Sequence, residues 1–184
     1  ALPILVMPME NEFEQITCDI LDDPLFQETR SFVHHGGENS VYDHSLATAR
    51  VAYLLAQRCG MSPERVRSVT RAALLHDFFG YDWHGDWFKG YLSQYTGWQR
   101  FRHMHAFVHG DIAADRAQAR FGLSDRQRDA IASHMFPLSF TLPRTSEAWI
   151  ITLADKIVAT REVTQAAGYY TMSFCRKLIP AVQG

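Results

Sequence analysis

With 184 residues, 47% of them hydrophobic and 21% charged, the chain is long enough and apolar enough to bury one substantial core. A net charge of −2 without blocks of like charge argues against a nucleic-acid polymer or a membrane surface as partner. No run approaches the ~18–20 apolar residues of a bilayer span. Cys18, Cys59 and Cys175 form no CxxC pair, and the apolar start Leu2 to Pro8 lacks a basic segment and is broken by prolines. A cytoplasmic protein with reduced thiols is therefore expected. The nine histidines are the compositional outlier.

Glu10 to Asp22 carries Phe13, Ile16, Ile20 and Leu21 at helical spacing, and a short helical piece is expected over 24–32. Val33 to Asn39, with its glycines and asparagine, reads as loop. Ser40 can cap a helix that runs to Cys59 and stops at Gly60, its stripe formed by His44, Ala47, Val51, Leu54 and Leu55. Ser62-Pro63-Glu64 opens the next helix, which is expected to extend through His76-Asp77-Phe78-Phe79 to Gly80. Val66, Val69, Ala73 and His76 share one face of it, and Asp77 lies about 100° further round.

Gly80 to Trp87 is aromatic and glycine-punctuated, and reads as a loop lining a cleft; residues 91–106 are ambiguous, with a short helix around Trp98 to His105. His109 to Phe121 is helical with His109, Ile112, Ala113 and Ala117 on one side. Ser124 to Gln127 is a capping box opening a helix with Ile131 and His134 on one face. Ile151, Asp155 and Val158 share a stripe on a helix over 147–163, and a last helix is expected over 169–182. The fold class is all-α: a single-domain bundle of six to eight helices over residues 1–184, with terminal helices 10–32 and 169–182 packed on a core at about 40–162.

His44, His109 and His134 each sit on the apolar side of a different helix, and Asp155 interrupts an aliphatic stripe. Singly, each reads as a satisfied core histidine or a solvated aspartate. Together with His76 and Asp77 they are six ionisable groups on five helices of one small domain. Buried ionisable groups must be paired or bind metal, and nothing of opposite charge shares these stripes. Imidazoles with carboxylates suit Zn, Mn, Fe, Co or Ni without a thiolate, and helix bundles build dinuclear sites from inward-facing side chains of this kind.

The order His44, His76-Asp77, His109, His134, Asp155 resembles that of the HD superfamily of metal-dependent phosphohydrolases. The contexts are similar as well: Asp43-His44-Ser45 before an alanine-rich helix, Ala73-Leu74-Leu75-His76-Asp77, His109-Gly110 with Ala113, Ala130-Ile131-Ala132-Ser133-His134, and Leu153-Ala154-Asp155-Lys156. The resemblance implies a metal-dependent phosphohydrolase. His109 and His134 resemble the extra ligands of subfamilies with two metals, which include diadenosine tetraphosphatases and cyclic-dinucleotide phosphodiesterases. Phe78-Phe79-Gly80-Tyr81 stands where a glycine and lysine often follow in the latter, and no Gly-Tyr-Pro motif is present, so that substrate is disfavoured.

On this reading two divalent ions (Fe, Mn, Zn, Ni, Co or Mg) clamp a phosphate and activate water. Asp77 bridges them; His44, His76 and Asp155 complete one shell, and His109 and His134 hold the other ion. Lys156, Arg161, His84 and Arg50 are candidates for neutralising phosphate charge, weighed evenly against ordinary surface roles. Tyr81, Trp83 and Trp87 can stack on a base or pack in the core. His105 is a candidate ligand or hydrogen-bond donor to one, while His34, His35 and His103 stay unassigned. The expected substrate is a small phosphorylated molecule, a nucleotide first, with homo-oligomerisation open. An HD-type di-iron oxygenase and a catalytically silent metal- or nucleotide-binding regulator are the alternatives.

Overall fold

The computed structural model describes residues 6–34 and 39–178, with side chains over 11–34 and 39–165. Among these residues the architecture is all-α: α1 (Val6–Leu21), α2 (Pro24–Gln27), a 3-10 turn (Glu28–Ser31), α3 (Val41–Arg58), α4 (Pro63–Leu74), α5 (Asp86–Ser93), α6 (Gly97–Arg102), α7 (His105–Phe121), α8 (Asp125–Ala132) and α9 (Ser146–Leu178). The sole extended pairing among them is an isolated bridge between Val33 and Ser40. No described helix is long and apolar enough to cross a membrane.

The centre is α3 packed on α4 and α9, with α8 against α4 and α9 and α7 against α8. Small side chains set these approaches. Ala49, Ala52 and Ala56 recur at i, i+3 and i+7 on α3; they face Ala72 and Ala73 of α4 and Ile151 and Ala154 of α9 in one buried cluster. Leu74, Leu75 and Ile131 are fully buried in the same cluster, where truncating any of them to alanine costs about 2–5 kcal/mol. On the outer side, Phe13, Ile16 and Ile20 of α1 are buried, and Arg71 of α4 donates to the Ile16 carbonyl at 2.9 Å.

Several sequence expectations change; α5 begins inside the expected loop and α7 begins at His105. Residues 75–79 do not continue α4: the helix ends at Leu74, with Leu75 as C-cap, and His76 and Asp77 stand in the turn beyond it. Likewise α8 ends at Ala132, before His134. Leu75, Phe78 and Phe79 stay buried beyond α4, and Ser133 and His134 beyond α8, so the buried pattern runs past each helix end and hides it. The helices expected over 147–163 and 169–182 are one helix to Leu178, and residues 179–182 lie outside the described part. Nothing between them stops a helix: Ala166 and Ala167 favour it, and Gly168 alone costs about 1 kcal/mol.

Two glycines shape the region of the site. Gly80, at φ +70°, turns the chain left-handed just after Asp77-Phe78-Phe79. Gly110 lets α7 approach the end of α8, because a Cβ there would lie 3.2 Å from the Ala132 carbonyl oxygen and 3.4 Å from His134 Cε1.

Candidate metal centre

Two of the site imidazoles are placed by the ends of helices. His76 stands two residues after the last residue of α4, and its Nδ1 lies 2.8 Å from the Ala73 carbonyl oxygen. His134 repeats this beyond α8, with Nδ1 2.7 Å from the Ile131 carbonyl oxygen. The last carbonyls of a helix lack helical partners, and here a histidine three residues on supplies one. Within α7, His109 Nδ1 lies 2.8 Å from the His105 carbonyl oxygen. A carbonyl can only accept, so each Nδ1 donates and each Nε2, the lone-pair atom of the neutral ring, is turned toward the cluster. His44, in the first turn of α3 behind the Ser40–Asp43 capping box, has Nδ1 3.0 Å from Glu162 Oε2.

The Nε2 atoms converge on two buried carboxylates. Asp77 Oδ2 lies 3.4 Å from His76 Nε2 and 3.9 Å from His44 Nε2. Asp155 Oδ1 lies 3.1 Å from His44 Nε2 and 3.8 Å from His76 Nε2. Asp77 Oδ1 points the other way, 3.4 Å from His109 Nε2 and 3.7 Å from His134 Nε2, which are 3.2 Å from each other. Ligands ~2.1 Å from a common ion stand roughly 3.0–3.5 Å apart in octahedral or tetrahedral arrangement, and most of these separations fall there.

Two atoms give an independent test of fit. His76 Nε2 and Asp77 Oδ1 are buried with no hydrogen-bond partner. Such groups cost about 1–3 kcal/mol each when left unmade. Both are aimed into the cluster, where a cation would satisfy them. The donor set therefore suits divalent metal of the borderline class.

Burial is the largest single influence on Asp77 and would raise its pKa, yet His76, His34, His109 and His134 around it hold the carboxyl well below its ordinary value. Asp155 is held down in the same way, against burial, by His44 and His76. Burial pushes the His134 imidazole down to about 3, helped by the neighbouring His76 and His109, and it lowers His109 as well. Those two rings are thus neutral near pH 7, the form that binds a cation.

A family model for the HD domain matches residues 41–160. The chain belongs to the HD-domain family. It therefore falls within a superfamily of metal-dependent hydrolases. The glycine–tRNA ligase beta subunit of Limosilactobacillus fermentum (strain NBRC 3956 / LMG 18251) is 26% identical over 149 residues, which are 80% of this chain. The chain spans 18% of that subunit's length. No solved structure matches the chain.

Beyond the six expected ligands, this HD domain brings two residues to the cluster that sequence reasoning passed over. His34 follows the 3-10 turn and is held by the Val33–Ser40 bridge and by its own N–H donating to the Asn39 carbonyl at 3.0 Å. Its ring stacks on that of His44, 3.7 Å between centroids, and its Nε2 lies 3.5 Å from Asp77 Oδ2. Burial would lower its pKa, but Asp77 and Glu162 outweigh burial and raise it to about 9. Glu162 Oε2 lies 3.0 Å from His44 Nδ1 and 3.3 Å from His34 Nδ1, so one carboxylate orients both rings. No periodicity selects a histidine inside a loop. Glu162 did carry a signal, since it repeats the face of Asp155 seven residues on along α9.

A cavity of about 570 Å³ opens onto the HD site; His34, Asp77, His109, His134 and Asp155 line its floor. Lys156 also lines it, with Nζ 2.7 Å from Asp155 Oδ2. His84 and Arg161 stand outside this lining: His84 is an exposed loop residue 3.7 Å from Asp82, and Arg161 projects from the exposed side of α9. Arg50 is exposed, its guanidinium 4.9 Å from the Phe13 ring. Trp83 lines the cavity, whereas Tyr81 packs behind it, parallel to Phe88, and Trp87 is largely exposed. Tyr81 Oη is 3.1 Å from His105 Nδ1. His105 lines the cavity and supports His109 through its carbonyl. His103 pairs instead with Tyr91 at 2.8 Å, and His35 lies outside the described residues.

Proposed function

We propose that the protein is a phosphohydrolase that uses two divalent ions to cleave a phosphoester or phosphoanhydride of a small substrate, with nucleotides among the candidates. The observation that carries this reading is the division of Asp77: Oδ2 faces His76 and His44, and Oδ1 faces His109 and His134. His44, His76 and Asp155 would hold one ion, His109 and His134 the second, with the Asp77 carboxylate between them. Bound there, the ions would supply Lewis acidity toward phosphate oxygens and lower the pKa of a water.

The chain's own residues have complementary tasks. Glu162, Ala73, Ile131 and the His105 carbonyl fix the imidazoles through Nδ1, so the ligands are oriented before substrate arrives. Lys156 brings a cation to the cavity floor, where it would offset phosphate charge. The cavity holds one small ligand body, which supports a small substrate over a polymer. The test is release of phosphate from a panel of nucleotides and other phosphoesters by protein loaded in turn with Mn, Fe, Co, Ni or Mg. Release should require metal and vanish in His76→Ala. Oxygen consumption with an organic substrate, and every phosphoester left intact, would replace this reading with the oxygenase.

A further inference from the structure

The wall of the cavity above the ligands is apolar. Phe79, Trp83, Phe88, Leu92, Met104 and Met135 form it. No serine, threonine, asparagine, glutamine, tyrosine or glutamate is among the described residues that line it. The aromatic part is fixed before any ligand enters: Trp83 lies parallel to His105 at 7° and 5.1 Å, and Phe79 sits edge-on to both His105 and His109. The cations on the lining sit at its polar ends and each contacts a protein group. Lys156 is at Asp155, Arg100 donates to the Leu92 carbonyl at 2.9 Å, and Lys89 lies 3.4 Å from Asp86.

The geometry points to a substrate whose phosphate sits at the ligand cluster and whose esterified group is flat and weakly polar, recognised by contact with this wall and not by hydrogen bonds to its edge. This rests on the phosphohydrolase reading and names its substrate class: phosphomonoesters of aromatic or other apolar alcohols, with nucleotides accepted only so far as a base serves as a flat surface. The consequence is poor discrimination among bases. A site built on hydrogen bonds rejects a substrate lacking them by roughly 10⁴–10⁵-fold, whereas an apolar pocket separates near-isosteres by about 10²-fold at most. Bulk and apolar area do the selecting here, so a compact polyhydroxylated ester is the poorest fit.

The experiment measures phosphate release by metal-loaded protein from 1-naphthyl phosphate, the four common ribonucleoside monophosphates and glucose 6-phosphate. The naphthyl ester should have the highest kcat/KM, the nucleotides should fall within about tenfold of one another, and the sugar ester should trail the naphthyl ester by at least ~100-fold. Leu92→Asn and Met104→Gln, both at partly exposed positions of the lining, should each raise KM for the naphthyl ester by roughly 3–10-fold while metal content stays at the wild-type value. In parallel, calorimetry compares 1-naphthylmethylphosphonate with methylphosphonate, and the naphthyl compound should bind at least about tenfold more tightly.

A preference above ~100-fold for one base, or for the sugar ester, overturns the inference while leaving a phosphohydrolase. Equal binding of the two phosphonates also overturns it. If no ester is cleaved yet the naphthyl phosphonate binds selectively, the phosphohydrolase reading fails and the apolar recognition stands.

Discussion

Glu162 and His44 are joined by a 3.0 Å contact from the carboxylate Oε2 to the imidazole Nδ1, although 118 residues separate them in the chain. The carboxylate accepts the Nδ1 proton, so the same contact turns His44 Nε2 toward Asp155 and Asp77. Because His34 Nδ1 stands 3.3 Å from the same oxygen, Glu162 governs two rings at once. Partners of this kind are worth about 10–100-fold in metal affinity. Glu162→Gln, whose amide can still accept one bond, should weaken metal binding toward the lower end of that range. Glu162→Ala should approach the upper end. Competition against a chelator of known affinity measures both, and wild-type affinity in Glu162→Ala would remove the orienting role.

The close approach at Gly110 makes a prediction confined to one side of the cluster. A Cβ added there meets the Ala132 carbonyl at 3.2 Å and the His134 ring at 3.4 Å. Gly110→Ala must move the segment that carries His134 by a few tenths of an ångström, and Gly110→Val by more. Metal sites weaken when a ligand is displaced on that scale. Titration with Co²⁺ should show one ion bound as in wild type and the second weakened by about tenfold or more. Weakening of both ions alike would argue against an independent His109–His134 side.

A structural anchor away from the site sets a pH dependence of stability. Glu147, in the first turn of α9, is buried and accepts from Arg65 Nε and Arg126 Nη2, both at 2.8 Å. Arg65 leads the causes that bring its pKa from 4.5 to about 2, with Arg126 acting in the same direction against burial. A depressed carboxyl stabilises the fold fully above the unfolded pKa and loses that stabilisation as pH falls through the folded one. The window here runs from pH 4.5 down to about 2. Both arginines are about half exposed, so screening reduces the contribution to about 1–2 kcal/mol. Glu147→Gln should be destabilised by that amount near pH 7 in urea unfolding. Its deficit should shrink below about pH 4 as the wild type loses the same interaction. A deficit that does not change between pH 7 and about pH 3 would contradict the assignment.

How much of this was legible in the sequence depended on what kind of feature carried it. The caps at Ser40 and Ser124 announced α3 and α8, because a capping box has a local chemical signature. The alanine and aliphatic stripes of α3, α4 and α9 announced the bundle. The ends of α4 and α8 were hidden, because Leu75, Phe78 and Phe79 after the one, and Ser133 and His134 after the other, remain buried in turns, and periodicity cannot separate a buried turn from a buried helix. The start of α7 was hidden for the opposite reason: Met104 at its N-cap offers no capping side chain. His34 is positioned by a bridge between Val33 and Ser40, a tertiary pairing with no trace in residue order.

Asp77 carries the heaviest load of the account. Replacing it with alanine takes a negative ligand from both sides of the cluster, in a pocket where His44, His76 and His134 are almost fully buried. Asp77→Ala should therefore lose both ions and nearly all activity, whereas His134→Ala should keep one ion. Elemental analysis of the purified variants measures this, and a wild-type metal content in Asp77→Ala would remove the carboxylate from the site.

The central claim, one carboxylate shared between two ions, is tested most directly by anomalous diffraction from crystals of metal-loaded protein. Two anomalous peaks should appear ~3.5–4 Å apart. One should lie by Asp77 Oδ2 with His44, His76 and Asp155, and the other by Asp77 Oδ1 with His109 and His134. A single peak, or a second peak remote from His109 and His134, would contradict it.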